Sequence, residues 1–316
     1  MNENEQTRPL LRIATRSSAL AMWQANHVRN LMADACPSTT FTLVQVSTIG
    51  DRDRQSRLAD FGGQGVFTKE VQAALLDGRA DIAVHSLKDL PTVPVSGLML
   101  AGTPSRASQL DVLVLPEGRQ IQSLDELPEG ASVATGSLRR QAQLLHVRPD
   151  LRFVPVRGNV ETRLQKLDDG EFDALVLAAA GLDRLEHSQR ISLALQPPNM
   201  LPAVGQGALG LECRADHTEA EAVVTAITDF INWSEVRAER SCLRKLQAGC
   251  HAPVGVYSSW GESLAKLTLD AVVLSSDGRQ RLHVAVHGPA DDPETLGSTA
   301  AEQLLALGAG PLLEAQ

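Results

Sequence analysis

The sequence predicts an α/β fold of two doubly wound domains followed by a third, smaller α+β domain. Three observations predict it. Short apolar strands alternate with amphipathic helices from Leu10 to Leu185, which is typical of parallel sheets covered by helices on both faces. Two proline-containing breaks flank the middle of that region. From about Asp229 the alternation ends, and a helix is followed by strands that carry a hairpin signal.

The first predicted domain comprises residues 1–104 and 208–225. Its expected elements, in chain order, are a strand at 10–15, a helix at 19–32, a strand at 41–47, a helix at 66–76 and strands at 81–85 and 98–102. The segment 48–65 between them is polar and glycine-rich. A loop of this length in a compact domain is usually functional or disordered, so we expect either a lid or a plain surface loop.

The second predicted domain covers residues 110–201 and is inserted into the first. Its expected strands lie at 111–115, 131–135, 153–156 and 173–179, with helices at 137–147 and 160–167. The third covers 230–316, with a helix at 235–246, strands at 254–257, 267–274 and 281–286, and a last helix at 292–307. Asp277-Gly278 is the hairpin signal between its last two strands. We expect the two larger domains to be of the periplasmic-binding-protein type, with the active cleft between them.

The composition excludes several classes of protein. The chain has 316 residues and a formal net charge of −9, and only 3% of its residues are aromatic, so we expect no nucleic-acid partner. The polar start lacks a signal peptide and no stretch reaches a membrane-spanning length, so no membrane association is expected. Four cysteines without zinc or disulfide spacing predict a reducing cytoplasm and no metal site. We expect a monomer.

A basic stretch at residues 135–163 runs against this acidic background. Its arginines are Arg139, Arg140, Arg148, Arg152, Arg157 and Arg163. Several of them fall at strand-to-helix turns, where open α/β sheets bind ligands, and Arg16 occupies such a turn as well. Arginine recognises carboxylate and phosphate through two parallel hydrogen bonds. The stretch therefore predicts an anion site, and the alternative is a solvated basic face.

Two further positions carry reactive side chains. Lys88 and Asp89 come directly after the strand 81–85, where polar groups are well placed for chemistry. Cys250 lies in a glycine-flanked loop between a helix and a strand, where it can be a nucleophile, an attachment point or an inert thiol. His251 is adjacent to it, but neighbouring side chains of an extended loop point apart and no third orienting group is evident.

These residues belong to long blocks that resemble one family, porphobilinogen deaminase, also called hydroxymethylbilane synthase. The resemblance covers nearly the whole chain. The matching segments are RIATRSSALAMWQA at 12–25, DIAVHSLKDLP at 81–91, TGSLRRQAQL at 135–144, RGNVETRLQKLDDGEFDALVLAAAGLDRL at 157–185, LPAVGQGALGLEC at 201–213 and AERSCLRKLQAGCHAPVG at 238–255. Several such blocks in the right order make the resemblance highly specific, which no single block would.

The resemblance implies a transferase of tetrapyrrole biosynthesis. The family joins four porphobilinogen molecules head to tail, with release of ammonia, into the linear tetrapyrrole hydroxymethylbilane. Its cofactor is a dipyrromethane made from substrate and held by a thioether, here on Cys250 and not on Cys242. The family's catalytic aspartate falls on Asp89. The implied cofactor contacts are Lys88, Thr135, Ser137, Arg139, Arg140, Arg163 and Arg184, and the implied substrate contacts are Arg16, Ser18, Arg157, Arg163 and Arg184.

Three positions depart from the family pattern. Gln64 stands where a lysine is common in the glycine-rich loop, and Asp60 stands where another lysine is common. Gly136 replaces a serine before the arginine pair, which removes one hydroxyl donor and keeps both arginines.

Two rival functions suit parts of the same sequence. A solute-binding protein for an organic anion would have the same two-lobed shape, but the absent signal segment counts against it. A hydrolase with Cys250 as nucleophile and His251 as base would lose activity on His251→Ala, whereas the deaminase function predicts a mild effect.

Overall fold

The chain folds into two compact units. The computed structural model describes residues 9–47, 68–249, 252–261 and 264–314. Unit 1 consists of residues 1–105 and 209–229, and unit 2 consists of residues 106–208 and 230–316. The predicted lid segment 48–65, with Asp60 and Gln64, lies outside the described residues, as do Cys250 and His251.

Unit 1 is built on a five-stranded mixed sheet in the order β2-β1-β3-β10-β4. Its strands are β1 (Leu10–Arg16), β2 (Thr40–Val46), β3 (Ile82–Ser86), β4 (Leu98–Gly102) and β10 (Leu209–Arg214), and its helices are α1 (Ala19–Ala35), α2 (Lys69–Leu76) and α6 (Thr218–Ala226). Strand β1 runs parallel to β2 and β3, and β10 runs antiparallel to β3 and β4. The carboxyl ends of β1 and β3 therefore lie side by side at one edge of the sheet.

Apolar residues on both faces of β1 explain why helices cover both sides of this sheet. Leu11 and Ile13 pack with α1 and α6 on one face, whereas Ala14 packs with α2 on the other. The spacing of Leu20, Trp23, His27 and Leu31 predicts that they lie close to one face of α1. Trp23 and His27 do stack on each other, with ring centroids 5.1 Å apart, and both are exposed, so this face points away from the core.

The first sheet of unit 2 also has five strands, in the order β7-β6-β8-β5-β9. The strands are β5 (Asp111–Val114), β6 (Ser132–Ala134), β7 (Arg152–Val154), β8 (Ala174–Ala178) and β9 (Leu193–Leu195), with helices α3 (Leu138–Val147), α4 (Val160–Asp168) and α5 (Ala179–Arg184). Strand β6 is parallel to both β7 and β8. Helix α3 covers one face, and α4 and α5 cover the other.

A smaller three-stranded antiparallel sheet, in the order β11-β12-β13, completes unit 2. Its elements are α7 (Phe230–Lys245), β11 (Val254–Trp260), β12 (Lys266–Leu274), β13 (Arg281–Pro289), α8 (Pro293–Ala306) and α9 (Ala309–Glu314). The predicted hairpin between β12 and β13 is confirmed, and Gly278 has φ +72° there. A Cβ at Gly278 would lie 2.6 Å from the Ala142 carbonyl oxygen, so glycine lets the hairpin contact α3 closely.

A buried ion network joins the start of unit 2 to α7. The Arg106 guanidinium lies 2.9 Å from Glu235 and 2.7 Å from Glu239, and all three side chains are almost fully buried. Glu239 also accepts a hydrogen bond from the backbone N–H of Gly205, and Glu235 accepts one from the indole of Trp260. Each of the three charged side chains therefore has ion-pair and hydrogen-bond partners, which is the condition under which buried charges are tolerated.

The predicted fold class, two doubly wound α/β parts with a smaller α+β part, is confirmed by these three sheets. The division into three separate domains stays a prediction, since the contacts divide the chain into two units and place the second and third sheets in one of them. Within the described ranges, no helix is long and apolar enough to cross a membrane.

Candidate active site

Unit 1 contains a cavity of about 80 Å³ at the carboxyl edge of β1 and β3. Three residues predicted from the sequence line it together, namely Arg16, Ser18 and Asp89. The remaining lining residues are Leu20, Ala21, Gln24, Thr68, Val84, His85 and Ser86. The cavity has room for several water molecules, and seven of its ten lining residues have polar side chains.

The turn from β1 to α1 positions Arg16 and Ser18. Ser18 is the N-cap of α1, and its hydroxyl accepts a hydrogen bond from the backbone N–H of Ala21 at 3.4 Å. The Thr15 hydroxyl donates to the Ala21 carbonyl at 3.1 Å, which closes the turn from the other side. Arg16 thus follows a buried strand directly and reaches the cavity from a fixed backbone.

The turn after β3 positions Asp89. Residues Leu87–Asp89 form one 3₁₀ turn in which Leu87 is buried and Asp89 is exposed. Ser86 is held to α1 by two hydrogen bonds with the Gln24 amide, at 2.9 and 3.2 Å. None of the described residues makes a hydrogen bond or ion pair with the Asp89 carboxylate. The carboxylate is therefore presented on an anchored turn and is available to a ligand.

A buried polar group that the sequence analysis did not identify lies beneath Asp89. His85 Nε2 lies 2.9 Å from Glu212 Oε2, and both side chains are buried. The two atoms are close but poorly aligned for a hydrogen bond, so the contact is an ion pair only when the imidazole is protonated. The Gln72 amide donates to both oxygens of Glu212, at 3.1 and 3.0 Å. Thr68, at the same cavity, has a buried hydroxyl without a hydrogen-bond partner among the described residues.

Unit 2 presents its predicted site residues at a single sheet edge. Strands β6, β7 and β8 are adjacent and parallel, so the turns after them lie next to one another. These turns and the short helix after β8 carry Thr135, Ser137, Arg139 and Arg140, then Arg157 and Arg163, then Arg184. A Cβ at Gly136 would lie 3.7 Å from the Val156 carbonyl oxygen, so the serine found there in the family fits without strain.

The turn after β6 is closed by its own side chains. The Thr135 hydroxyl accepts from the backbone N–H of Ser137 at 3.2 Å, and Ser137 is the N-cap of α3. Arg139 and Arg140 follow in the first turn of α3, and both are buried. The alternative of a solvated basic face is therefore wrong for these two arginines.

One carboxylate, Asp111 at the start of β5, holds both buried arginines. Arg139 donates to its two oxygens at 2.6 and 3.2 Å, and Arg140 donates at 2.8 Å. Each arginine also donates to a backbone carbonyl, that of Leu201 or Val176. Burial alone would raise the pKa of Asp111, but the two guanidinium groups outweigh burial and hold it well below its usual range.

The cluster of Arg139, Arg140 and Asp111 carries two positive charges against one negative charge. Burial is the main cause that lowers the pKa of Arg140, and the nearby positive charge of Arg139 lowers it further. The Asp111 carboxylate acts in the opposite direction and does not cancel these two effects. A further anion at this cluster would offset the excess positive charge. The donor chemistry therefore suits a ligand that carries carboxylates, and this is the character of a dipyrromethane with its acetate and propionate groups.

The remaining arginines of the basic stretch differ in their surroundings. Arg184 is buried and donates to the Gly207 carbonyl at 2.7 Å, and burial lowers its pKa to about 10. Arg163 is half-buried and donates to the Gly158 carbonyl, whereas Arg157 is exposed. Arg148 pairs with Asp150 at 2.8 Å and bonds the Leu124 carbonyl. This last pair closes a surface loop and needs no ligand.

Two of the cysteines in the described ranges have the properties of inert thiols. Cys213 and Cys242 are fully buried, and burial raises the pKa of Cys213 to about 11 and that of Cys242 to about 12. The thiolate is the reactive form of cysteine, so neither is activated. Cys36 is half-buried. Cys250, the predicted attachment point, lies outside the described residues, and the chain is described up to Gly249 and again from Ala252.

No metal centre is formed by the described part of the chain. Those residues contain no group of three or more histidine, cysteine, aspartate or glutamate side chains that could hold an ion. The candidate site is therefore characterised by its arginines, Asp89 and the polar floor of the unit 1 cavity.

Arg139→Leu is expected to lower the free energy of unfolding by about 3 kcal/mol, because it removes two buried charge-assisted hydrogen bonds to Asp111 and one hydrogen bond to the Leu201 carbonyl. Denaturant unfolding of the purified variant measures this change. Arg152→Leu is the matched control, since Arg152 belongs to the same basic stretch but is exposed and bonds only the Gly130 carbonyl. Its cost should stay within about 0.5 kcal/mol. Equal stability of both variants would show that the Asp111 cluster contributes nothing to folding.

Several residues of these sites carry little signal in the sequence. Asp111, Gln24 and Gln72 lie within a predicted strand or helix, His85 ends a predicted strand, and Glu212 lies within the segment 201–213. Glu212 carried a weak signal, because a charged residue within the apolar run of β10 must be paired when it is buried.

Comparisons with known proteins cover nearly the whole chain. The family model described as "Porphobilinogen deaminase, dipyromethane cofactor binding domain" matches residues 11–222, and the one described as "Porphobilinogen deaminase, C-terminal domain" matches residues 233–306. The porphobilinogen deaminase of Gloeobacter violaceus is 45% identical over 303 residues, covering 96% of this chain and 92% of the relative. That of Syntrophotalea carbinolica is 45% identical over 305 residues, covering 96% and 95%.

Among solved structures, the likeness is more distant. The second substrate-binding domain of GlnP from Lactococcus lactis, in its open conformation, has a TM-score of 0.45 at 12% identity, covering 70% of this chain and 89% of that one. The periplasmic VFT2 domain of BvgS from Bordetella pertussis has a TM-score of 0.43 at 19% identity, covering 74% and 93%. Likenesses at this level carry no conclusion about this chain.

Proposed function

Because the chain belongs to the porphobilinogen deaminase family, a family of tetrapyrrole-synthesising enzymes with a dipyrromethane cofactor, we propose that it joins four porphobilinogen molecules into hydroxymethylbilane. The observation that carries this proposal is the cavity of unit 1, which is lined together by Arg16, Ser18 and Asp89. These residues suit a substrate that carries carboxylates and becomes cationic when ammonia leaves.

Asp89 is the proposed catalytic residue. Loss of ammonia from the aminomethyl group of porphobilinogen leaves a cationic methylene pyrrole. A fixed carboxylate beside that cation stabilises it as the charge develops, which is the most effective use of a preorganised charge. Asp89 is suited to this role because its turn is anchored by buried Leu87 and by the Ser86–Gln24 hydrogen bonds. It can also accept and return a proton at its carboxylate oxygens.

Arg16 and Ser18 are proposed to hold the incoming substrate. The Arg16 guanidinium can bind an acetate or propionate group through two parallel hydrogen bonds, and the Ser18 hydroxyl can add one. Arg157, Arg163 and Arg184 are the proposed substrate contacts contributed by unit 2. Binding by carboxylates orients the aminomethyl carbon while leaving it unobstructed.

Most of the proposed contacts of the dipyrromethane belong to unit 2, and Lys88 belongs to unit 1. Cys250 would supply the thioether, and the proposed contacts for its carboxylates are Lys88, Thr135, Ser137, Arg139, Arg140, Arg163 and Arg184. When bound, the group supplies an acceptor that is already attached to the protein. The excess positive charge of the Asp111 cluster supports a ligand that carries carboxylates, and the burial that raises the pKa values of Cys213 and Cys242 argues against attachment at those two thiols.

The proposed activity is tested by incubating the purified protein with porphobilinogen and measuring ammonia and linear tetrapyrrole. We expect four ammonia molecules for each tetrapyrrole. A solute-binding protein would bind the substrate and release no ammonia. A hydrolase would release ammonia without making tetrapyrrole, and its activity would depend on His251. Either result would overturn the proposal.

We further propose a cytoplasmic monomer. The cysteines of the described ranges are free thiols, which agrees with a reducing compartment. Sedimentation of the purified protein at several concentrations tests the oligomeric state, and a mass of twice 33.8 kDa would contradict the monomer.

A further inference from the structure

A buried histidine at the floor of the unit 1 cavity has no part in the function proposed above. His85 lines the same cavity as Asp89, Arg16 and Ser18, yet its side chain is only 4% exposed. Its Nε2 lies against Glu212, so the other ring nitrogen, Nδ1, is the one left for a ligand. Buried titratable groups at the floor of a ligand cavity are strong candidates for proton transfer.

The strand register explains why His85 and Glu212 meet. Glu212 of β10 is paired with Ala83 of β3, two residues before His85. Side chains two residues apart point to the same face of a strand, so Glu212 and His85 are diagonal neighbours on one face. Helix α2 covers that face and contributes Gln72, which fixes the Glu212 carboxylate with two hydrogen bonds. The pair is therefore held from a strand and a helix at once.

A second buried polar group, the Thr68 hydroxyl, lies at the floor of the unit 1 cavity. Thr68 is 2% exposed and lines the cavity, and its hydroxyl has no hydrogen-bond partner among the described residues. A buried hydroxyl without a partner costs free energy unless a ligand or water satisfies it. The cavity floor thus offers a hydroxyl and an imidazole to whatever binds above it.

The charged groups near His85 come from several elements. Glu212 approaches from β10, Arg16 stands at the end of β1, and Asp89 is on the turn after β3. Helix α1 contributes the neutral Gln24, and α2 contributes the neutral Gln72. The first turn of α2 also carries exposed Lys69 and half-buried Glu70. Among these groups, Glu212 is the charge in direct contact with the imidazole of His85, at 2.9 Å from Nε2.

The proposed reaction needs a proton acceptor at every round. Joining two pyrroles forms one C–C bond and breaks one C–N bond and one C–H bond. The ammonium form of the substrate enters, and ammonia and one proton leave. Asp89 can take up that proton only by losing the negative charge that stabilises the cation. A second group that accepts the proton would let Asp89 remain ionised.

We propose that His85 accepts the proton released in each coupling, with Glu212 as the positioning residue that stabilises the resulting imidazolium. This inference rests on the proposed function. The electron pair of the broken C–H bond returns to the pyrrole ring, and its proton passes to Nδ1 of His85. The imidazolium then gives the proton to the released ammonia, which leaves as ammonium. One ammonium group enters with the substrate and one ammonium ion leaves, so protons and charge balance and no further reactant is required.

The test compares four variants by kcat, KM and the pH dependence of kcat with porphobilinogen. His85→Gln should lose about 10²-fold in kcat at unchanged KM, and the acid limb of its pH profile should disappear. Added imidazole should restore part of the rate of His85→Ala. Glu212→Gln should move the acid limb to lower pH, because the imidazolium loses its carboxylate. His217→Gln is the control, since His217 also faces a carboxylate, Asp81 at 3.4 Å, but does not line the cavity.

The outcomes separate this inference from the proposed function. A wild-type protein that makes no tetrapyrrole would overturn the proposed function itself. An active wild type together with a His85→Gln variant of equal kcat and unchanged pH profile would overturn only the role of His85. If His85→Gln does not fold, Glu212→Gln decides the matter, and an acid limb that stays in place in that variant would contradict the proposal.

Discussion

Replacement of Cys250 with serine is expected to give a folded protein without a covalent pyrrole adduct and without measurable turnover. A serine hydroxyl does not form the thioether, so the acceptor for the first coupling is missing. Intact-protein mass spectrometry and the porphobilinogen assay measure the two losses. The protein should still unfold cooperatively, because the contacts that hold the smaller sheet together lie in β11, β12, α7 and α8.

Cys242→Ser is the matched control for that variant. Cys242 precedes Cys250 by eight positions in the sequence, but it is fully buried within α7 and burial raises its pKa to about 12. The variant should keep the adduct and the activity, with a cost of about 1–2 kcal/mol in stability for a hydroxyl in an apolar site. An adduct that persists in Cys250→Ser and is lost in Cys242→Ser would reverse the assignment of the attachment point.

Asp89→Asn is expected to lower turnover by about 10²–10³ while leaving folding and substrate binding intact. The change keeps the size of the side chain and removes its charge, so the loss should fall on the step in which the cation forms. Folding should be unaffected, because Asp89 is exposed and its carboxylate makes no hydrogen bond or ion pair with the described residues. Single-turnover release of ammonia, beside a thermal melt, separates the two effects.

Two further variants make this test sharper. Asp89→Glu should be intermediate, because the charge persists but is displaced by one methylene group. Asp77→Asn is the control, since Asp77 is an exposed aspartate of unit 1 that pairs with Arg79 and does not line the cavity. Ammonia release at the wild-type rate in Asp89→Asn would show that another carboxylate stabilises the cation.

The sequence indicated where the site residues lie because local patterns determine turns. Arg16 ends β1, Ser18 follows β1 and Asp89 follows β3, and parallel strands end at the same edge of a sheet. The strand β1 and the helix α1 could therefore be placed from periodicity alone, and the cap at Ser18 follows from its position. The proximity of these three side chains is a consequence of strand order.

The contacts that position those residues could not be predicted, because they join parts of the chain that are far apart. Asp111 holds Arg139 from 28 positions away, and Gln72 reaches Glu212 across 140 positions. The buried face of α1 is not evident from its apolar residues alone, since it includes Gln24, which makes hydrogen bonds with Ser86. A polar residue that is buried because it bonds a specific partner does not fit the periodicity of apolar residues from which burial is predicted.

The proposed synthesis of hydroxymethylbilane on a covalent dipyrromethane is tested most directly by adding isotopically labelled porphobilinogen to unlabelled, purified protein. The masses of the tetrapyrrole product and of the intact protein are then measured by mass spectrometry. We expect a linear tetrapyrrole with four labelled units. We also expect the protein to keep an unlabelled adduct of two pyrroles on the peptide that contains Cys250. A product that carries unlabelled units, or a fully active protein without any adduct, would contradict it.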